Sequence, residues 1–480
     1  MSPRLARVVI ASVALAHAAL FIVYQQPDWQ TQWTDQNGYL MLGRNLAETG
    51  RYTRFPSTPS YIPEAIRTPM YPAFVALLDL LFGESRMVIV TVHALLFAMI
   101  CIVVYEIARA VMSEDAALAA GLAVALYPPL PYFGALVLTE VFTTFLVTAA
   151  TAVWLRALRT NSIRLFGLSG ALLAAAALTR PAFEYLPSFL IPAAFVGVRD
   201  SWTARVRGSA IMLAVFIVVL VPWFAYNVVY FKTVTFTPAG GPGRQLFEGS
   251  WQVDLPGRVE TELTALADSA PDRNELDEKV RVVAARTQLP AETLLRYVHQ
   301  HLDIRKIWVE PVDPWQRVVS RIEADHEYFR VGVENIRLDP LGHAWRRATR
   351  GTFLLWAAEI PVRYSDINTR LSPLTIRAIW LLQVALMLLA VCGVVVLARQ
   401  GAVTEATAMA ALVLYVSAVH VPLYSEARYS LPAKPIVVLL AVACVVSMVG
   451  RAGFRPRRHI SVPPERLREA IDQNRPEADS

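Results

Sequence analysis

The sequence predicts an all-α polytopic membrane protein of about ten transmembrane helices, with juxtamembrane helices and a helical insertion on the extracytoplasmic side. Three observations predict it. Of the 480 residues 55% are hydrophobic and 18% charged, and the mean hydropathy is +0.41, a balance too apolar for an ordinary soluble enzyme. The apolar residues gather into runs of roughly 15 to 25, the length a helix needs to cross about 30 Å of hydrocarbon. Basic residues sit at the ends of those runs, so the net charge of +6 reports topology and not a nucleic-acid partner.

In chain order the expected spans are 8–24, 87–111, 116–127, 136–155, 165–178, 183–198, 210–229, 376–398, 403–420 and 435–449. The first follows Arg4 and Arg7 as a signal peptide would, but Tyr24-Gln-Gln-Pro-Asp is no small-residue cleavage site, so it is expected to remain as a membrane helix. Runs 116–127 and 165–178 are short for a full crossing, so the count can differ by a pair. Arg4, Arg7, Arg109, Arg156, Arg159, Arg164, Arg199, Arg205, Arg207, Arg399 and the group Arg451, Arg455, Arg457 and Arg458 fall on one side with both termini, which is cytoplasmic by the positive-inside tendency. The expected location is a plasma (inner) membrane. Cys101, Cys392 and Cys444 all lie inside apolar runs without metal or disulfide spacing and read as small buried hydrophobes.

The opposite face owns a first loop, 25–72, a long insertion, 231–373, and short turns at Thr179-Arg-Pro and Tyr424-Ser-Glu-Ala-Arg-Tyr. The chain thus divides into a membrane module (1–230), the insertion (231–373), C-terminal membrane helices (374–450) and a basic, then Pro- and acid-rich cytoplasmic tail (451–480). Segment 72–83 is apolar but too short to span, as an interfacial or half-buried helix would be. Within the insertion, Leu294, Val298, His301 and Leu302 follow a helical repeat. Trp345, Phe353 and Trp356 are expected as interfacial aromatics near its end.

Several polar groups need an explanation. Trp33-Thr-Asp-Gln-Asn-Gly-Tyr39 opens a short amphipathic helix ending at Gly50, in which Asp35 is either an N-cap or a carboxylate held at a cavity mouth as base or metal ligand. Prolines in Tyr61-Ile-Pro-Glu-Ala-Ile-Arg67-Thr-Pro-Met-Tyr-Pro stiffen a loop carrying Glu64 and Arg67. Glu140 falls a few residues into an apolar run, where an ionisable group needs a partner or a cavity. Arg180, Arg244, Arg428 and Lys434 run against the charge bias on the outer side; they pair with nearby acids such as Glu426 and Glu140, or together they bind a phosphate-bearing lipid through guanidinium forks. His326, in Asp325-His-Glu327, reads as part of a solvated helix face, while His420 is open between packing and site.

The order of these motifs resembles the GT-C superfamily of polyprenyl-phosphate-sugar-dependent glycosyltransferases, especially bacterial relatives of protein O-mannosyltransferases and lipid A aminoarabinose transferases. It rests on Asp35-x-x-x-Tyr39 with Gly50-Arg-Tyr, Arg67-Thr-Pro-Met-Tyr-Pro, Thr139-Glu140, Leu178-Thr-Arg-Pro, Pro222-Trp-Phe-Ala-Tyr-Asn227 and Arg428-Tyr-Ser-Leu-Pro. The resemblance implies transfer of a sugar, with inversion, from a polyprenyl-phosphate donor to a lipid, glycan or protein acceptor. It implies that Asp35, with Glu140, is catalytic, that Arg67, Arg180, Arg428 and Lys434 meet the lipid phosphate, and that Tyr39, Glu64 and Tyr429 meet sugar or acceptor. Many members carry two adjacent acids where this chain has Asp35-Gln36, so no cofactor is assigned and a divalent metal at Asp35 stays open. A transporter or flippase of an anionic substrate is the alternative, opposed by the lack of repeated halves and of a mid-bilayer site.

Overall fold

Every regular element among the described residues of the computed structural model is a helix; those residues are 1–26, 29, 34–197, 202–269, 272–307, 313–363, 366–367 and 370–450. The expected cytoplasmic tail 451–480 lies outside them, as do Trp33 and Arg199. The membrane module begins with α1 (Pro3–Gln25), capped by Ser2, whose hydroxyl accepts the Leu5 N–H at 3.3 Å. Then come α2 (Thr34–Thr49), α3 (Met70–Phe82), α4 (Arg86–Arg109), α5 (Glu114–Ala125), α6 (Pro129–Gly134), α7 (Glu140–Thr160) and α8 (Ile163–Thr179). A 3-10 turn (Pro181–Phe183) leads to α9 (Leu186–Ala193) and α10 (Trp202–Phe231).

Among the described residues, seven helical segments are long and apolar enough to cross a membrane: Pro3–Gln25, Arg86–Arg109, Glu140–Thr160, Trp202–Phe231, Pro373–Arg399, Val403–His420 and Ala427–Met448. Three further expected spans form shorter helices, with 12 residues in α5, 17 in α8 and 8 in α9. At 1.5 Å per residue α5 covers only about 18 Å. Its apolar character has another use: Ala116, Ala117, Ala120 and Val124 are buried in the bundle core, where α5 packs on α1 and α4. The run expected from 136 becomes helical only at Glu140, so that carboxylate opens α7 and meets the positive end of the helix dipole. The half-helix expected at 72–83 is α3, packed along α2.

The insertion is helical, as its periodicity predicts: α11 (Pro242–Gln252), α12 (Gly257–Ser269), α13 (Arg273–Thr287), α14 (Ala291–Ile307), α15 (Pro314–Leu338), α16 (Pro340–Arg346), a π-helical turn (Arg347–Gly351) and α17 (Thr352–Trp356). It has a core of its own, in which Leu263, Leu276, Val280, Leu294 and Val298 are fully buried together with Trp251. Trp345 is exposed, whereas Phe353 is half-buried and Trp356 is buried and donates its indole N–H to Ser417 at 3.0 Å. The chain closes with α18 (Pro373–Arg399), α19 (Val403–His420), a 3-10 helix (Ala427–Ala433) and α20 (Lys434–Met448). The buried Arg347 fastens the end of the insertion to this last module, donating to the Val421 carbonyl (2.5 Å) and Ser425 Oγ (2.9 Å), and also to Gln252 Oε1 of α11 (2.8 Å).

Candidate active site

A cavity of about 1080 Å³ lies between the membrane module and the insertion, lined among others by Asp35, Tyr39, Arg67, Glu140, Arg180, Arg428 and Tyr429. Asp35 and Tyr39 share one face of α2, being one helical turn apart. Asp35 stands in the first turn of α2, where its side chain bonds no backbone N–H among the described residues; its Oδ1 accepts from Arg67 Nη2 at 2.6 Å. The Arg67 guanidinium lies 4.4 Å from the centre of the Tyr39 ring, a cation–π contact. It crosses α2 at Gly38, where an added Cβ would come within 1.9 Å of Nη1. A side chain there would push the guanidinium aside.

Glu64 is turned away from the cavity that it was expected to line. It is 2% exposed, and Arg54 grips it with both Nε (2.6 Å) and Nη2 (3.2 Å). Its Oε1 also accepts the backbone N–H groups of Ile66 (2.9 Å) and Arg67 (3.1 Å). From the other side the Tyr52 hydroxyl lies 2.9 and 3.1 Å from the carbonyl oxygens of Arg67 and Thr68. This proline-stiffened loop therefore holds the backbone of Arg67 from two directions, with Glu64 as a positioning residue.

Across the cavity Glu140 Oε1 is 3.3 Å from Arg180 and 3.7 Å from Arg428, while its Oε2 is buried without a hydrogen-bond partner. Arg428 also lies 2.9 Å from Glu426 and 3.9 Å from Asp35, so it stands between both expected catalytic carboxylates. The Tyr429 ring is sandwiched at 4.9 Å from Arg180 and 5.4 Å from Arg428. Three guanidinium groups thus share one floor with the carboxylates of Asp35 and Glu140. Pairing and ligand binding are not exclusive here, because a guanidinium carries five N–H donors in a planar fork. Lys434 is not among them: it is fully buried at the start of α20, donating to the Trp356 carbonyl (2.7 Å) and Gln383 (3.3 Å). Arg244 pairs with Glu248 at 2.7 Å and does not line the cavity, whereas His420 does, with its ring 4.9 Å from that of Tyr429.

No group of three or more His, Cys, Asp or Glu side chains able to hold a metal occurs among the described residues. Asp35 and Glu140 face the same guanidinium, Arg428, so as arranged they do not make a metal site.

One wall was not legible in the sequence. Ile322, Asp325, His326 and Phe329 of α15 line the cavity, as does the strap that joins α10 to α11. His326 is exposed, as a solvated helix face requires, and also borders the cavity, while its neighbour Glu327 turns aside to pair with Arg330 at 2.8 Å. Spacings of three and four do put 322, 325, 326 and 329 on one helical face. Which surface that face covers is a tertiary fact.

Arrangement and cavity together define a membrane protein with a fold of the GT-C glycosyltransferase type. Residues 66–226 match the family model for dolichyl-phosphate-mannose-protein mannosyltransferase. Among solved structures, the oligosaccharyltransferase AglB from Archaeoglobus fulgidus, in complex with an inhibitory peptide and a dolichol-phosphate, matches with a TM-score of 0.50 and 13% identity, over 99% of this chain and 52% of that one. Its apo form matches with a TM-score of 0.50 and 12% identity over 98% and 53%. ArnT from Cupriavidus metallidurans bound to undecaprenyl phosphate is more distant in shape, with a TM-score of 0.39, 17% identity and coverage of 91% and 77%. This chain spans about half the length of the archaeal enzyme. No curated protein matches the sequence.

Proposed function

We propose that the chain is a membrane glycosyltransferase that moves a sugar from a polyprenyl-phosphate donor to an acceptor hydroxyl on the extracytoplasmic face, with inversion. The observation that carries this reading is the carboxylate of Asp35, 46% exposed at a cavity floor that also presents three guanidinium groups. Asp35 takes the proton of the acceptor hydroxyl as its oxygen attacks the anomeric carbon. The bond from that carbon to the phosphate oxygen breaks on the opposite face, and polyprenyl phosphate leaves with the electron pair. Arg67, Arg180 and Arg428 meet the developing charge. Glu140, only 3% exposed, is badly placed to reach an acceptor and instead orients Arg180 and Arg428. The dolichol-phosphate held by the archaeal structure of like fold supports a lipid-phosphate donor. The insertion, closing one side of the cavity, shields the reaction from water.

Transfer of radiolabelled sugar from a panel of polyprenyl-phosphate hexoses and pentoses, in proteoliposomes, tests the reading. Asp35→Asn keeps the shape of the side chain but loses its basicity. It should fold and retain the donor, yet transfer about a hundredfold or more slowly. Transfer near the unmodified rate would remove Asp35 as base; no transfer from any donor by the unmodified protein would overturn the function.

A further inference from the structure

The wall of the cavity built by the insertion has a different chemistry from the floor, and its parts are fixed. The strap leaves α10 and is tied back to it, with Trp223 Nε1 donating to the Phe236 carbonyl (2.8 Å) and Asn227 Nδ2 to that of Thr235 (2.6 Å). Ala239 N–H donates to the Ala65 carbonyl at 3.0 Å, joining the strap to the loop that carries Arg67. The strap turns at Gly240, φ +76°, and a Cβ on Gly243 would lie 2.0 Å from the carbonyl oxygen of Asp325, so α11 starts pressed against α15. The Asp325 carboxylate, 8% exposed, accepts the Arg244 N–H at 3.2 Å, and burial pushes this acid upward from its usual range. Strap, α11 and α15 are one built surface.

On that surface His326, Gln245, Thr233 and Thr237 line the cavity, and their side chains make no hydrogen bond among the described residues. Beside them Phe329 is 49% exposed into the same space. The cations of the lining, Arg67, Arg180 and Arg428, all belong to the floor. We propose that this wall is an acceptor subsite for a neutral, hydroxyl-rich carbohydrate, with His326, Gln245 and the two threonines bonding its hydroxyls and Phe329 covering the apolar face of a sugar ring. The inference rests on the transferase reading. A phosphate held by the three guanidinium groups of the floor leaves the arginine-free wall to the acceptor, and neutral donors and acceptors around an aromatic ring match alternating hydroxyl and C–H surfaces.

The test uses the full chain in lipid nanodiscs, probed on arrays of neutral oligosaccharides, anionic oligosaccharides and peptides, with undecaprenyl phosphate binding measured in parallel. The unmodified protein should capture neutral oligosaccharides. For the best of them, Phe329→Leu, which keeps apolar bulk without the ring, and His326→Ala with Gln245→Ala should each weaken binding about tenfold or more, roughly 1.4 kcal/mol, while undecaprenyl phosphate affinity stays within about twofold. Capture of peptides or of anionic glycans alone, no capture on any array, or unchanged oligosaccharide affinity in both variants would overturn the subsite. Failure of the unmodified protein to bind undecaprenyl phosphate counts against the transferase reading, and is seen separately.

Discussion

Arg428 touches three carboxylates, and the nearest of them, Glu426, is also the least informative about function. If that pair were its whole purpose, removing both charges would restore what removing one destroys. The structure predicts otherwise, since Arg428 stands between Asp35 and Glu140. Arg428→Ala should weaken donor binding by about 1.5 to 3 kcal/mol, the range for a hydrogen bond to a charged group, and Arg428→Lys by less, because the charge survives without the fork. Adding Glu426→Gln to Arg428→Ala should not rescue transfer; rescue would take Arg428 out of the site. Glu64 calls for a different experiment. Glu64→Gln keeps the side-chain shape but weakens the clamp on the Ile66 and Arg67 amides, so hydrogen exchange there should speed up and donor KM rise more than kcat falls. Unchanged exchange and KM would reduce Glu64 to a packing role. In the sequence, Arg67, Glu140, Arg180 and Arg428 stood out because charge was out of place, and all four line the cavity. Arg244 and Lys434 gave the same signal and do not line the cavity, and Glu64, noted for its proline-stiffened loop, is turned inward, since sequence position near an outer loop says nothing about the direction of a side chain.

At the scale of single elements, helix α2 shows a local rule broken for the sake of a neighbour. Gly38 sits in its interior, where Ala is ordinarily better by about 0.5 to 1 kcal/mol, but a Cβ there collides with the Arg67 guanidinium. Gly38→Ala should therefore leave thermal stability level or slightly raised while transfer drops and donor KM rises; a variant with normal kinetics would show that Arg67 need not cross α2. In α12 the acid Glu260 is pushed up to about 7, first by burial and then by Glu248, against Arg350. An acid with a raised folded pKa is protonated in the fold where the unfolded chain ionises, so the stability it contributes is present at low pH and is lost as pH climbs from about 4.5 to about 7. The melting temperature of the protein should fall across that window, and Glu260→Gln should flatten the fall. Element boundaries were legible where hydropathy and length agreed, as in α1, α4 and α18. For α5 the bounds agree within two residues and only the length falls short of a crossing, because hydropathy cannot distinguish a face buried against protein from one facing lipid; for α9 the helix is 8 residues where 183–198 was expected, and Pro192 falls within it.

For the whole molecule, the proposed chemistry stands on one side of the membrane only if the long helices carry their two ends to opposite sides. Helix α7 makes the argument concrete: its 21 residues, about 30 Å at 1.5 Å each, separate Glu140 on the cavity floor from Arg159, which pairs with Glu405 at the start of α19 at 3.1 Å. The far end of the bundle also gathers Arg7, Glu106, Arg109 and Glu114 into a network with contacts of 2.8 to 3.0 Å. On the proposed topology, excess arginine at that end puts it in the cytoplasm and the cavity outside. Ser57 in the first loop and Ser269 at the end of α12 are both exposed on the cavity side, and Thr160 is exposed at the end of α7. With the exposed Cys392 replaced by Ala, cysteines at 57 and 269 should react with an impermeant thiol reagent in spheroplasts, and a cysteine at 160 should react only after permeabilisation. Labelling at 160 with protection at 57 and 269 would invert the topology and place the floor of arginines on the cytoplasmic face.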